Sequence, residues 1–503
     1  MSAAATQLSS NETADIARRA ARSGVIMFIA RGVRFFFIVV VNFILINLLL
    51  PADFGMVRYV MLVVGIANLI NEMGLTTAIV QKEHLKNESL WSLFLISTFW
   101  GFLLYGGIFL GAPIIARFFA TPELTGLLRV GALMIPATGV TAVHRAYLRR
   151  KMAYKELALI EMGAVLVSSI ASVSMAAGGF GVWALVTGTI LFETVISGVL
   201  LLLYPVKPQP LQSLARLKGL LFFGVIIVVS RIIDYTLGAT PFFLIGKIIG
   251  KKELGLFSVA FDIANFPRMA VLAALLHVML SMFSRLQSDR KRLAATFSRV
   301  MLTVSLATMP LLLVMIVMPE YLLRVISLFK YEGEWMGAAP LLKWLAAMGI
   351  IYVFTVFPNS VWIAVGKVKE NISVSLAMLV TAAAAVVIGV QWGIEGICIA
   401  MLIRALVIFF PYVYIHYRLT GIPVKVYLGA LVPSLVAGVG MAGVLLSGKY
   451  FFAGEGFTRQ VVVLVGGAVT GVGVYAAILW LFFRSTLAGM REIVYSLIPR
   501  KTS

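Results

Sequence analysis

Cysteine is nearly absent from this chain, with a single residue, Cys398, in 503. An internal disulfide framework is therefore excluded, and so is any cysteine-cluster metal site. Cys398 lies in an apolar run and reads as a small packing residue of a helix. Histidine is almost as scarce: the four residues 84, 144, 277 and 416 are scattered over separate segments and suggest no metal site. Acidic residues are few, 21 Asp and Glu against 42 Lys and Arg, which leaves a formal charge of +21. Charged residues together make up only 13%, about half the ~25% of an ordinary soluble domain. On a soluble protein such a basic excess would point to nucleic acid. Here 61% of the residues are hydrophobic and the mean hydropathy is +1.00, more apolar surface than one core can bury. The chain reads as a membrane protein, and no nucleic-acid partner is expected.

A bilayer core of ~30 Å needs ~20 apolar residues per helix. Apolar runs broken by charge, Pro or Gly predict fourteen spans: 24–49, 55–80, 91–116, 126–147, 158–177, 181–204, 219–246, 254–283, 298–318, 340–365, 371–390, 394–415, 424–446 and 460–483. The connections are short, and the longest, 319–339, has no room for a soluble domain. The expected fold class is thus an all-α polytopic membrane protein of about 14 transmembrane helices. Residues 1–23 carry Arg18, Arg19 and Arg22 without an apolar stretch of their own and read as a cytoplasmic tail. Lys and Arg in short loops set orientation. With the N-terminus inside, 26 of the cations fall on the inner side, counting Arg145, Arg299 and Lys425 at the inner ends of spans, 8 fall on the outer side and 8 lie deeper within spans. Both termini, 1–23 and 484–503, are expected in the cytoplasm.

Shifting the chain by 200 residues lays the first span on the seventh without a gap. Gly24-Val25-Ile26 meets Gly224-Val225-Ile226, Arg31 meets Arg231, Asp53 meets Glu253 and Gly55 meets Gly255. A shift of 214 lays Leu127-Leu128-Arg129 on Leu341-Leu342-Lys343. Six spans per copy give both copies the same orientation, a transporter plan with parallel repeats. The chain accordingly divides into a first lobe (24–204), a cytoplasmic linker (205–218), a second lobe (219–415) and two added helices (424–483).

A charge at bilayer depth costs at least ~2.5–3.5 kcal/mol on insertion scales, so it faces protein or water. Arg31 and Arg34 share one helix face. Glu72 lies on a stripe with Arg58, Gly65 and Asn68. Arg231 and Asp234 are three apart, and Asp262, Asn265 and Arg268 follow in the next span. Arg31, Arg34, Arg231 and Arg268 would line a hydrated cavity for an anionic substrate, because guanidinium forks match phosphate and carboxylate oxygens. Structural pairing is the alternative, Arg231 with Asp234 or Glu72 with Arg31. Glu72, Asp234 and Asp262 are the candidates for a proton or sodium site, since a carboxylate in a span can carry a proton. Glu161, Glu193, His277 and Arg404 stand singly in other spans. There is no phosphate-binding G-x-x-x-x-G-K-[ST] loop, no H-E-x-x-H and no G-x-S-x-G in a plausible setting, so neither a built-in ATPase nor a metal or other cofactor is expected.

Several stretches, in order, carry a resemblance. They are Pro51-Ala-Asp-Phe-Gly55, Glu72-Met-Gly-Leu75, Ala78-Ile-Val-Gln81-Lys82, Pro122-Glu-Leu124 and Arg149-Arg150-Lys151-Met152-Ala153-Tyr154-Lys155. Gly181-Val-Trp-Ala-Leu185, Glu253-Leu-Gly-Leu-Phe257, Gly333-Glu-Trp335 and Ala338-Ala-Pro-Leu-Leu342 follow. From about 20 to about 420 the chain resembles the polysaccharide transporter family. These are the Wzx-like lipid-linked oligosaccharide flippases of the multidrug/oligosaccharidyl-lipid/polysaccharide exporter superfamily. The family usually has Asp where this chain has Glu72. The resemblance implies two six-helix lobes in a V-shaped, MATE-like arrangement plus two C-terminal helices, in the bacterial cytoplasmic (inner) membrane. It implies export of a polyprenyl-pyrophosphate-linked repeat unit for capsule, exopolysaccharide or O-antigen assembly, with membrane lipids, a polysaccharide polymerase and assembly proteins as partners. A multidrug cation antiporter of the same superfamily is the second reading, disfavoured by the arginines. A membrane polysaccharide polymerase or ligase is the third, disfavoured by the short loops.

Overall fold

The computed structural model describes residues 32–484 except 35, 73–78, 80–86, 213, 287–288, 329–330, 356–357, 359–360, 363–364, 366, 453 and 455. The tails 1–23 and 485–503, and Arg31, lie outside the described residues, as does the side chain of His277. The described chain is helical and multi-pass. The helices are α1 (Gly32–Leu48), α2 (Pro51–Glu72), α3 (Asn87–Phe118), α4 (Leu124–Gly131), α5 (Met134–Arg150), α6 (Tyr154–Ala177), α7 (Val182–Leu203), α8 (Leu214–Ile248), α9 (Lys251–Arg285) and α10 (Arg290–Val317). Then come α11 (Pro319–Ile326), α12 (Glu332–Trp335), α13 (Ala338–Val353), α14 (Val368–Gly389), α15 (Gly393–Thr420), α16 (Lys425–Phe451) and α17 (Phe457–Phe482). Among the described residues eleven helices are long and apolar enough to cross a membrane, one of them, Ile372–Thr420, being the α14–α15 hairpin. Counting its two arms separately, and adding α1 and α8, accounts for the fourteen spans. The expected loop 319–339 is instead partly helical, as α11 and α12.

Local chemistry explains the ends. Asp289 caps α10 by accepting from the Arg292 amide at 3.1 Å, which occupies one of the free donors of a first turn. Asp53 accepts from the Leu50 amide at 3.0 Å and so fixes the α1–α2 corner. Gly421, at φ 74°, closes α15 in the left-handed conformation that glycine adopts without strain.

The chain divides into two compact units, 1–45 with 56–236, and 46–55 with 237–503. In the first unit α3 packs on α5, and α7 packs on α5 and α6. In the second, α10 packs on α13 and α16, α9 on α13, and α14 on α15. The second unit's core is aromatic: Phe297, Trp362, His416 and Tyr427 are buried, and the Trp362 indole donates to His416 Nδ1 at 2.8 Å.

One contact in the second unit obeys the 200-residue correspondence residue for residue. A Cβ at Gly55 would overlap the carbonyl oxygen of Lys251, and a Cβ at Gly255 would overlap that of Pro51. Gly55 and Gly255 are equivalent under the shift, as are Pro51 and Lys251. The first turns of α2 and α9 therefore meet backbone to backbone through a local two-fold relation that only glycine permits. Beside them the Trp335 indole donates to the Leu49 carbonyl at 3.3 Å, and its ring meets Phe54 edge-on at 5.3 Å.

Candidate functional site

Long-range packing assigns the charges within the spans their partners. In the first unit Arg34 of α1 pairs with Glu161 of α6 at 2.5 Å, and its guanidinium lies 5.1 Å from the centre of the Phe192 ring. Arg145 of α5 pairs with Glu193 of α7 at 2.6 Å. The sequence reading counted Arg145 with the inner-side cations, at the end of the predicted span 126–147. The helix runs on to Arg150 and carries Arg145 into the bundle, because Ala142 and Ala146 on the same stretch are buried. Glu161 and Glu193, single polar residues in the sequence, are thus the counter-ions of two arginines.

Arg231 of α8 pairs with Glu72 of α2 at 2.6 Å, and both side chains are half-exposed. Neither alternative pairing read in the sequence occurs among the described residues. Asp234 makes no ion pair there, and Arg31 is outside them. The α2–α8 contact has a steric cause. Gly65 leaves a notch where a Cβ would overlap the Tyr235 hydroxyl, and that hydroxyl donates to the Met61 carbonyl at 2.7 Å. With Tyr235 seated at Gly65, Arg231, one turn away on α8, comes to Glu72, two turns along α2. Asn68 and Asn71 turn to α5 instead. Thr138 donates to Asn68 at 2.8 Å, and Asn71 donates to the Ile135 carbonyl at 2.8 Å.

In the second unit Arg268 of α9 differs from these. Its guanidinium donates to Asn265 one turn earlier at 2.7 Å and stands 5.8 Å from the centre of the Tyr352 ring. Its Nε is buried without a hydrogen-bond partner. No carboxylate lies within ion-pair distance of it among the described residues. Asp262, two turns earlier, is exposed. A guanidinium presents five N–H donors and is always charged, so Arg268 keeps its positive charge and spare donors for an anion. The candidate residues therefore fall into separate places: Glu72 with Arg231, Arg34 with Glu161, and Arg268 by itself. Among the described residues there is no cluster of His, Cys, Asp and Glu fit to hold a metal.

A multi-pass all-helical membrane protein with paired and unpaired arginines inside its spans is the class these features define. The sequence pattern of the family described as polysaccharide biosynthesis protein matches residues 44–335. The chain belongs to that family. Among curated proteins it is 28% identical over 305 residues to the succinoglycan biosynthesis transport protein ExoT of Rhizobium meliloti, covering 60% of each chain. It is 22% identical over 305 residues to the lipopolysaccharide biosynthesis protein WzxC of Escherichia coli, covering 59% of this chain and 60% of that one. These alignments span about three fifths of the relatives' length. Among solved structures the fold matches the lipid II flippase MurJ in an inward closed conformation with a TM-score of 0.72 and 14% identity, over 92% of this chain and 100% of that one. It also matches an inward-facing multidrug resistance MATE family transporter, with a TM-score of 0.60 and 16% identity over 79% of this chain and 98% of that one. These likenesses establish the fold.

Proposed function

We propose that this protein is a flippase that moves an anionic, polyprenyl-pyrophosphate-linked oligosaccharide across the bacterial cytoplasmic membrane for polysaccharide assembly. The observation that carries the reading is Arg268, a largely buried guanidinium in a membrane-spanning helix with an unpartnered Nε and no carboxylate beside it among the described residues. A lone cation in a span is costly and marks a substrate or ion pathway, and guanidinium suits pyrophosphate oxygens. The relatives' names, a succinoglycan transport protein and a lipopolysaccharide biosynthesis protein, agree with it. The substrate site is exposed alternately to the two sides of the membrane, the transport mode suited to two parallel repeats. The chain acts as a carrier and not as an enzyme, with both termini cytoplasmic. In the second unit Arg268 receives the anion; in the first, Arg34 and Arg231 become available to an anion only when their glutamates release them. Asp234, exposed and without an ion-pair partner among the described residues, is the first carboxylate to test for proton or sodium coupling. A multidrug cation exporter would need the opposite charge at Arg268.

The test is complementation of a strain deleted for the gene, with expression of each variant checked in membranes. Arg268→Ala abolishes surface polysaccharide, and Arg268→Lys restores part of it. Full export by Arg268→Ala would refute the assignment.

A further inference from the structure

A second cation without a carboxylate lies in the second unit, on the wall of a groove. The groove measures about 710 Å³ and runs between α14 and α15. This is within the ~300–1,000 Å³ of pockets that hold small molecules. Its walls are mostly apolar, with Ala384, Ala385 and Ala400 set among larger side chains such as Ile388, Ile403 and Val407. The sequence creates the space in two ways. At the head of the hairpin Gly389 and Gly396 bring the backbones together, where a Cβ on Gly389 would come within 2.6 Å of Ile397 Cα. Farther down, three alanines line the facing walls and leave the gap open.

Arg404 lines this groove with Thr381. It donates from Nε to the Thr381 hydroxyl at 3.1 Å and from Nη2 to the Met378 carbonyl at 2.8 Å. Two of five guanidinium donors are used, and both bonds hold the group in place without neutralising it. No carboxylate pairs with it among the described residues. Arg404 lies eleven residues after the first residue of α15, Gly393, a rise of about 16 Å. It is also near the middle of the predicted span 394–415, which puts it about halfway through a ~30 Å hydrocarbon core. Glu395, which accepts from the Trp344 indole at 2.8 Å, marks the other end of the same groove at the head of the hairpin.

Depth decides which ligand fits. The phosphate of a resident phospholipid stays at the membrane surface and does not reach the middle of the hydrocarbon core. A lipid pyrophosphate in passage from one leaflet to the other does. We infer that the α14–α15 groove is a mid-membrane station for the substrate's lipid portion: the long apolar chain lies along the alanine walls and the pyrophosphate sits on Arg404. This rests on the flippase reading and extends it, since it assigns the chain and the pyrophosphate to a groove distinct from Arg268.

Purified full-length protein in nanodiscs is titrated with undecaprenyl pyrophosphate, and binding is compared with undecaprenol, inorganic pyrophosphate and phosphatidylglycerol. Wild type binds undecaprenyl pyrophosphate at least about tenfold tighter than any of the three, the equivalent of one charge-assisted hydrogen bond. Arg404→Gln weakens binding at least about tenfold. Ala400→Leu, which fills the groove and leaves Arg404 untouched, weakens it similarly, and it decides the matter where Arg404→Gln fails to fold. Binding unchanged within twofold in Ala400→Leu, or phosphatidylglycerol competing equally, overturns the groove assignment and leaves the flippase reading standing. Absence of any undecaprenyl pyrophosphate binding to wild type overturns both.

Discussion

The Arg145–Glu193 pair gives the sharpest energetic expectation. Glu193 is only 9% exposed, and the two side chains are 20% and 11% exposed in the pair. Removing one partner strands a buried charge, which costs about 3–5 kcal/mol. Arg145→Leu alone strands Glu193 beside Glu161, a like charge that remains tied to Arg34. Glu193→Leu alone strands Arg145, whose Nε already lacks a hydrogen-bond partner. The pair is therefore imperfectly satisfied, and its desolvation is only partly offset. Replacing both residues by leucine removes two charges and one unsatisfied donor together. Such replacements are commonly neutral or stabilising by about 1–4 kcal/mol. The double variant should thus unfold no earlier than wild type, while each single variant unfolds far earlier. With each single variant costing at least about 3 kcal/mol and the double variant nothing, the coupling energy of the cycle should be about 6 kcal/mol or more. Reversible unfolding of purified protein in mixed micelles measures it. Single effects that simply add in the double variant, each below about 1 kcal/mol, would refute the pairing and the burial argument.

Gly55→Ala and Gly255→Ala should each destabilise by about 1–3 kcal/mol, the scale of overpacking, and by similar amounts because the two overlaps are equivalent; a neutral effect at either position in the same unfolding assay would remove the two-fold contact. Cys398 is fully buried, so the wild-type protein should not react with a maleimide in intact cells. Single cysteines introduced at Lys151 and at Lys252 should then label with a membrane-impermeant maleimide only at 252, and labelling at 151 from outside would overturn the cytoplasmic placement of the N-terminus.

Much of the fold was legible because a membrane enforces one-dimensional rules. Backbone groups in hydrocarbon must be satisfied within the helix, so apolar run length reads out spans. Gly55 and Gly255 were visible as equivalent positions for the same reason that they now meet: a repeat copies its special backbone sites. The charged site was legible only in inventory. Arg34 and Glu161 are 127 residues apart, and no spacing rule reaches that far. Arg231 lies one helical turn from Asp234, which made that pair the natural guess, yet Gly65 and Tyr235 dock α8 on α2 and give Arg231 to Glu72. Arg145 was hidden because it lies only two residues from the predicted end of its span at 147 and was counted with the cations of the inner side.

The pairings change what the intramembrane arginines can do. Counted from sequence, Arg31, Arg34, Arg231 and Arg268 form a strongly cationic set that would hold an anion at every point of its path. Paired, Arg34 and Arg231 present no net charge until a carboxylate lets go. An anion arriving at Arg34 must exchange with Glu161, and one arriving at Arg231 must exchange with Glu72, so each exchange gives back most of what it gains. Arg268 and Arg404 have no carboxylate to displace among the described residues. A carrier needs sites that bind and also release, and tight binding along the whole path would trap the substrate. Two uncompensated arginines and two compensated ones would supply both strong contacts and weak ones. On that reasoning, neutralising Glu161 with Glu161→Gln should slow export by strengthening retention at Arg34, whereas Arg34→Gln should leave export faster than Glu161→Gln does. Export rates in the complemented deletion strain rank the two, and the reverse order would show that Arg34 works as a free cation.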